Sequence, residues 1–375
     1  MINNYLERQI KENFPYQPTL EQEIAVKSLS EFLLSTLADE VFILRGYAGT
    51  GKTSLVGALV KTMDQLQQKS VLLAPTGRAA KVFSAYAGHP AFTIHKKIYR
   101  QRSYSNELTN FSINDNLATN TLFIVDEASM ISNEGLSGSV FGTGRLLDDL
   151  IQFVYSGQGC RLLLMGDTAQ LPPVGEELSP ALFTDALKGY GLEVREIDLT
   201  QVVRQVQESG ILWNATRLRQ LIVEDECYSL PKIRVNGCPD IKVVLGTELI
   251  EELTNCYDHD GMDETIVVCR SNKRANLYNN GIRAQILWRE DELNTGDMLM
   301  VAKNNYYWTE QYKEMDFIAN GEIAVVRRVR RTREMYGFRF AEVTLRFPDQ
   351  NDFELDANLL LDTLHSDSPA LPKAD

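Results

Sequence analysis

Two short stretches of this chain have the residue types and spacing to handle a phosphate ester. Gly46-Tyr47-Ala48-Gly49-Thr50-Gly51-Lys52-Thr53 fits GxxxxGK[ST], follows the apolar run Val41 to Leu44 and precedes the helix-like stretch Ser54 to Val60. A strand before and a helix after are the context this motif requires. Its glycines let backbone N–H groups converge on phosphate oxygens, and the helix N-terminus adds a positive dipole. Gly46, Ala48, Gly49, Thr50, Gly51, Lys52, Thr53 and Ser54 are therefore the expected cradle for ATP, with Lys52 neutralising the β and γ phosphates and Thr53 holding Mg²⁺. The second stretch, Phe123-Ile124-Val125-Asp126-Glu127, is an apolar strand ending in two acids. Adjacent carboxylates repel each other unless a cation or a reacting group uses them. Asp126 is assigned to Mg²⁺, directly or through water, and Glu127 to positioning and deprotonating an attacking water. The plain alternative is a solvated strand end or a helix cap, since Glu127-Ala128-Ser129 can open a helix.

The elements that must position these groups are legible as short Val/Ile/Leu-rich runs between helix-like stretches: Val41 to Leu44, Ser70 to Ala74, Thr121 to Val125 and Arg161 to Met165. Such runs read as strands covered on both faces, hence a parallel α/β sheet with its ligands at the loops that follow the strands. Between Ser84 and Asn120 the pattern breaks into a polar, Asn/Ser/Tyr-rich stretch, expected as a small insertion at about 84–120. A first domain over 1–205 is expected to be followed by a second α/β unit over 206–295, with Thr265 to Cys269 as one of its strands. From 296 to 361 the chain turns to strands around Asn-Gly and Pro-Asp turns, the pattern of a small β-barrel. Residues 362–375 lack pattern and are expected to be a flexible tail.

At 375 residues, 44% hydrophobic and 24% charged, the chain has enough apolar material for two ordinary cores. Its formal charge of −13 excludes coating of nucleic acid by bulk attraction, so any such contact must be a local track. The N-terminus lacks the apolar core of a signal peptide and no run is long enough to cross a bilayer, so a soluble cytoplasmic protein with no membrane partner is expected. The five cysteines include no CxxC pair and no histidines at zinc-ligand spacing, as expected of idle thiols in a reducing compartment.

Asp126-Glu127-Ala128-Ser129 followed by Gly166-Asp167-Thr168-Ala169-Gln170-Leu171-Pro172-Pro173-Val174-Gly175 resembles superfamily 1 helicases of the RecD and Dda type. The resemblance implies a RecA-like P-loop NTPase domain, then a partial second RecA-like domain carrying an SH3-like β-barrel. It also implies ATP-driven movement on single-stranded DNA with 5′-to-3′ polarity, a duplex fork as substrate and a monomeric motor. In that family Gln170 would sense the γ-phosphate, as an amide that can both donate and accept is able to do. Leu20-Glu21-Gln22 resembles the motif whose glutamine, here Gln22, reads the adenine edge. Ala74-Pro75-Thr76-Gly77-Arg78 resembles a loop that holds single-stranded DNA through Pro75, Thr76, Gly77 and Arg78. Thr93-Ile94-His95 resembles the next DNA contact, with Thr93 and with His95 on a phosphate or a base. Leu199 to Gln205 resembles the segment whose arginine, here Arg204, reaches the γ-phosphate. Cys269 to Asn276 resembles a second-domain DNA contact through Asn272 and Lys273. Lys303-Asn304-Asn305-Tyr306 with Asn320-Gly321-Glu322 resembles the entry to the barrel. The stretch Tyr99 to Tyr104 falls where such helicases carry the element that splits the duplex, and reads equally well as a plain exposed hairpin.

Two later motifs of the family, of the patterns TxHKxQG and YxAxTRA, do not occur before Asp375. The expectation from sequence is therefore a chain cut within the second motor domain, binding nucleotide with weak hydrolysis and poor unwinding. Two alternatives follow: a nucleotide-switched single-strand-binding module with little turnover, and an RNA helicase of the same superfamily.

Overall fold

The computed structural model describes residues 2–366 other than 102–110, 136–140, 174, 202–208, 225–227, 229, 303, 304, 306, 310, 311, 313, 314, 316, 317 and 319. The chain divides into two compact units, Met1–Arg234 and Val235–Asp375. The first unit extends past the expected boundary at 205, because helix 210–223 belongs to it.

The first unit opens with α1 (Ile2–Asn13), α2 (Leu20–Leu34), β1 (Glu40–Gly46), α3 (Lys52–Gln65), β2 (Lys69–Ala74), α4 (Gly77–Ala87) and β3 (Ala91–Thr93). It continues with α5 (Ile94–Ile98), β4 (Tyr99–Gln101), β5 (Phe111–Ile113), β6 (Thr121–Val125), α6 (Leu146–Ser156), β7 (Arg161–Gly166), α7 (Thr184–Lys188), β8 (Glu193–Leu199) and α8 (Gly210–Val223). Among the described residues, six of these strands form one sheet in the order β3-β2-β6-β7-β1-β8, and every pairing in it is parallel. The apolar runs dictate this. All five residues of β6 are buried, as are Val41 to Leu44 of β1 and Leu162 to Met165 of β7, so these strands need cover on both faces. Phe42, Leu44, Leu72, Ile124, Leu163 and Met165 pack one face against apolar positions of α1 to α4. On the other face Phe123 meets Phe153 of α6 edge-on, with ring centroids 5.9 Å apart.

The expected insertion at 84–120 is narrower in the structure. Ala91–Thr93 joins the main sheet beside β2, and only the β4/β5 hairpin stands apart. Three residues are too few to show a periodicity, which is why β3 was not legible. The Tyr99 to Tyr104 stretch is also not uniformly exposed. Tyr99 is buried, its hydroxyl donates to Asp149 Oδ2 at 2.7 Å, and Phe111 stacks on Phe141 at 4.9 Å. Arg102 to Tyr104 lie outside the described residues.

The second unit contains α9 (Leu249–His259), α10 (Asn272–Gln285), β9 (Met298–Met300), β10 (Ile323–Met335), β11 (Phe338–Phe347) and β12 (Phe353–Leu360). Among the described residues these strands form a four-stranded antiparallel sheet, ordered β12-β11-β10-β9. Alternate residues of β11, Ala341, Val343, Leu345 and Phe347, are buried in a core of their own with Met315, Ile318 and Leu355. After β12 the turn Leu361–His365 is packed, with Leu361 buried and Asp362 ion-paired to Arg339. The expected strand over Thr265 to Cys269 does not form. Among the described residues nothing pairs with it, and Ile266 and Val268 are 81% and 87% exposed. An apolar, β-branched run becomes a strand only where a neighbour completes its ladder. No helix among the described residues is long and apolar enough to cross a membrane.

Asp149 ties the hairpin to α6. It is fully buried and also accepts from the Thr143 backbone N–H at 3.0 Å and the Thr143 hydroxyl at 2.8 Å. Asp149→Ala would leave the buried Tyr99 hydroxyl and both Thr143 donors without their acceptor and open a cavity in the core, and is expected to cost about 2–4 kcal/mol, with Asp149→Asn recovering part of it. Urea unfolding of the chain checks this, and a loss below about 0.5 kcal/mol would show the anchor to be dispensable.

Candidate nucleotide site

The sheet order decides where the charged loops go. β6, β7 and β1 are adjacent and parallel, with Val125 opposite Leu164 and Arg45 opposite Gly166. Their carboxyl ends therefore deliver Asp126-Glu127, Asp167 to Gln170 and Gly46 to Lys52 to one edge of the sheet, the usual place for a ligand in an open α/β fold.

Within the loop after β1, Gly49 and Gly51 both have φ of +85°, a conformation that glycine adopts without strain. Gly51 is the residue before the first turn of α3. A Cβ on Gly46 would lie 2.9 Å from the Leu199 carbonyl oxygen and 2.8 Å from Thr50 Oγ1, so this position tolerates no side chain. The Lys52 ammonium folds back onto the loop, donating to the carbonyls of Gly46 and, at 3.1 Å, of Tyr47. Thr53 and Ser54 follow in the first turn of α3, partly exposed.

The electrostatics of the edge are those of charges taken out of water. Burial lowers the Lys52 pKa; Asp167, Asp126 and Glu127 pull it back up, and Arg219 pushes it down. Burial raises Asp126 to about 6, and the Glu127 carboxyl is raised for the same reason, with Lys52 and a hydrogen bond from Gln170 opposing the rise. Glu127 also sits at φ +52°, ψ 39°, a left-handed conformation that costs a non-glycine residue on the order of 1 kcal/mol. Its backbone N–H donates to Asp126 Oδ1 at 2.8 Å. Glu127 thus occupies the capping position of the turn Ala128–Met130, but its side chain makes no cap. Asp167 is buried and accepts from the Ala169 N–H at 2.9 Å, while Gln170 is exposed with its Oε1 3.4 Å from Ser129 Oγ.

Gln22 takes a place that the sequence did not reveal. It is 2% exposed and completes a capping box on α2, its Oε1 accepting from the Thr19 N–H at 2.9 Å. Its Nε2 donates to the Thr50 carbonyl at 2.9 Å, so the amide is a brace under the phosphate loop. The neighbouring Glu21 carboxylate accepts from the Thr200 N–H and hydroxyl and from the Gln201 N–H, at 2.6–2.8 Å. Burial pushes the Glu21 pKa up, and these hydrogen bonds outweigh it. Arg204, four residues on, lies outside the described residues.

Of the expected DNA-contact residues, Thr76 and Thr93 are N-caps. Their hydroxyl oxygens accept from Ala79 N at 3.2 Å and Lys96 N at 3.1 Å, at the starts of α4 and α5. Pro75 and Gly77 flank the first cap, partly buried, and Arg78 is exposed. His95 is partly buried, its ring edge-on to Phe141 at 5.1 Å and tilted against Tyr99 at 5.6 Å. Asn272 and Lys273 are exposed at the start of α10 in the second unit. Missed from sequence were Tyr47 and Arg219: Arg219 stands on α8 with its Cζ 4.8 Å from the Tyr47 ring centroid. No motif or periodicity marks Arg219, because only the fold brings α8 to the phosphate loop.

A glycine cradle on β1, paired acids on β6 and a glutamine loop on β7 define a P-loop NTPase with a RecA-like parallel sheet. A model of the AAA domain family matches residues 21–221, and the chain belongs to that family. It is 31% identical over 193 residues to the ATP-dependent RecD2 DNA helicase of Deinococcus radiodurans, covering 50% of this chain and 23% of that protein. It is 23% identical over 367 residues to the uncharacterized protein R530 of Acanthamoeba polyphaga mimivirus, covering 85% of this chain and 66% of that protein. A crystal structure of Pif1 helicase from Bacteroides in complex with ADP-AlF3 and ssDNA aligns over 91% of this chain and 74% of that one, at 14% identity and a TM-score of 0.38. The chain is thus similar to superfamily 1 helicases of the RecD-like type, and it spans less than two thirds of the length of these curated relatives.

The environment of His95 has a measurable consequence. Burial holds its pKa down at about 4, against an opposing pull from Asp149. A histidine with a depressed folded pKa contributes stability that is present above its unfolded value near 6.5 and lost as pH falls through about 4. Wild type should therefore lose about 2–3 kcal/mol more than His95→Asn between pH 6.5 and 4, at about 1.4 kcal/mol per unit. Parallel stability profiles of the two proteins, followed by denaturant unfolding, would remove the basis for a buried neutral His95.

Proposed function

We propose that this chain is an ATP-hydrolysing motor that moves on single-stranded DNA in the 5′-to-3′ direction and opens duplex at a fork. The observation that carries the reading is the convergence of Lys52, Asp126-Glu127 and Asp167-Gln170 at the ends of three adjacent parallel strands. The glycine cradle and the first turn of α3 receive the phosphates, and Lys52 exchanges the Gly46 and Tyr47 carbonyls for phosphate oxygens. Glu127, a carboxylate made more basic by burial, takes the proton of the attacking water. Gln170, hydrogen-bonded to Glu127, orients that water against the terminal phosphate and reports its loss to the loop that follows. Arg204 is the expected cationic partner of that phosphate.

The residues present fit Mg²⁺. Asp126 is a carboxylate whose pKa burial raises, with the Glu127 N–H and Lys52 opposing the rise, and Thr53 offers a hydroxyl in the first turn of α3 after the phosphate loop. That suits a small cation held by one carboxylate, one hydroxyl and the nucleotide's own phosphates. When bound, Mg²⁺ neutralises charge developing on the transferred phosphoryl group.

The DNA track is supported by the two capped helix starts after β2 and β3. Thr76, Gly77 and Thr93 lie at the same carboxyl edge of the sheet as the nucleotide loops, where the positive end of a helix dipole favours a phosphate. His95, neutral and packed among aromatic rings, contributes shape there and no charge. Asn272 and Lys273 supply the second unit's contact. The SH3-like barrel is the proposed form of the sheet at 296–361, and residues 235–295, the part of the expected 206–295 that falls in the second unit, are proposed to begin a second RecA-like domain.

Nucleotide binding, single-turnover hydrolysis and unwinding of tailed duplexes test the reading. Lys52→Ala should abolish nucleotide binding, and Glu127→Gln should keep binding while hydrolysis falls by about 10²–10⁴. Single-stranded DNA should stimulate hydrolysis, and a 5′ tail should support unwinding where a 3′ tail does not. Stronger stimulation by RNA of the same sequence would overturn the DNA assignment, and a 3′ preference the polarity.

A further inference from the structure

Arg219 belongs to none of the motifs that define the site, yet three features of its surroundings point to a ligand. Its guanidinium carbon is 4.8 Å from the Tyr47 ring centroid, and Tyr47 is the second residue of the phosphate loop. Its Nη1 is sealed from solvent and has no hydrogen-bond partner. A guanidinium N–H denied both water and a protein acceptor is costly to keep, and such groups in folded proteins commonly await a ligand. Arg219 also lines a cavity of about 690 Å³ whose other walls include Ala48, Asp167 and Gln170. That volume is in the range of small-molecule sites.

The charge pattern gives the ligand its sign. Arg219 lies close enough to Lys52 to push the Lys52 pKa down, so two cations from different elements stand within electrostatic reach of each other. An anion between them relieves their repulsion and gives Nη1 its acceptor. The contact of its Cζ over the Tyr47 ring restrains the guanidinium beforehand, so less side-chain freedom is left to lose when the anion arrives. The position along the nucleotide follows from the walls. Asp167 and Gln170 come from the end of β7, on the side where the terminal phosphate is expected, and Ala48 is in the phosphate loop itself.

We propose that Arg219 is an arginine of the nucleotide site, held over the Tyr47 ring so that its Nη1 binds the terminal phosphate of a nucleoside triphosphate. The assignment rests on the nucleotide reading given above. It makes α8, a helix outside the phosphate loop and the acid and glutamine motifs, a reader of triphosphate against diphosphate.

Calorimetric titration with ADP and with a non-hydrolysable ATP analogue, on the full chain, tests it. Arg219→Gln should weaken the triphosphate analogue by about 10- to 100-fold, the worth of a charge-assisted hydrogen bond, and leave ADP within about threefold. Arg219→Lys should recover part of the loss, and Tyr47→Leu, which keeps the charge but removes its platform, should show a smaller loss of the same selectivity. Thermal melts check folding, and the Lys and Leu variants carry the test if Arg219→Gln does not fold. Equal losses for ADP and the analogue would overturn the proposal and place Arg219 on another part of the nucleotide. Unchanged affinities in Arg219→Gln, with binding lost in Lys52→Ala, would overturn it alone. Failure of wild type to bind either nucleotide would overturn the nucleotide reading, and this proposal with it.

Discussion

The placing of one ammonium, Lys52, among three carboxylates at a water-poor sheet edge is the constraint from which the rest of the site follows. Asp126, Glu127 and Asp167 all act on Lys52, and burial drives the ammonium and both β6 carboxyls toward their neutral forms. Opposite charges compensate in such a place only while their geometry is held. The hydrophobic sandwich supplies that rigidity: β6, β7 and β1 are buried along their length and cannot slide without exposing Phe123, Leu163 or Phe42. The core that stabilises the fold is thus also what keeps unlike charges at the distances where they pay for one another.

A second level of support comes from the start of α2. Consecutive residues there serve two neighbouring segments, Gln22 holding the Thr50 carbonyl and Glu21 holding Thr200 and Gln201. Thr19 fixes both by capping the helix. The phosphate loop and the segment leading toward Arg204 are therefore referenced to a single rigid turn. Displacement of that turn would reach both together, which is a physical route for coupling nucleotide contacts that are far apart in sequence. Glycine at 51 belongs to the same arrangement, since a Cβ there would lie 2.6 Å from Gln22 Nε2.

What could be read in the sequence was what is local. The cradle, the acid pair and the glutamine loop each lie within about ten residues, and the four apolar runs were long enough to declare themselves as β1, β2, β6 and β7. The parallel sheet follows from those runs because none alternates. What escaped was set by tertiary neighbours. β3 and α5 are too short for a period. Thr265 to Cys269 has strand composition without a strand partner among the described residues. Tyr99 looked like part of a polar stretch until Asp149, fifty residues later in the chain, gave its hydroxyl an acceptor. Arg219 is the sharpest case, since a guanidinium looks the same in a string of letters whether it faces water or a phosphate loop; Gln22 was marked by resemblance as an adenine reader, and what escaped was its hold on the Thr50 carbonyl.

The acidity of the chain bears on how it would hold a polyanion. With a net charge of −13, long-range attraction to nucleic acid is unfavourable, and binding must come from oriented dipoles and short-range contacts. Many of the arginines of the second unit's sheet are already committed: Arg327, Arg330, Arg331, Arg333 and Arg339 all pair with acids. That pairing takes a strand rich in basic residues, Ile323–Met335, out of contention as a phosphate stripe despite its composition. The helix starts at Thr76 and Thr93 differ in kind, because each side-chain cap takes up one N–H, of Ala79 and of Lys96, and leaves the dipole of the turn in place. A weak, directional grip of that sort would be easily released, as the proposed stepping along a strand requires.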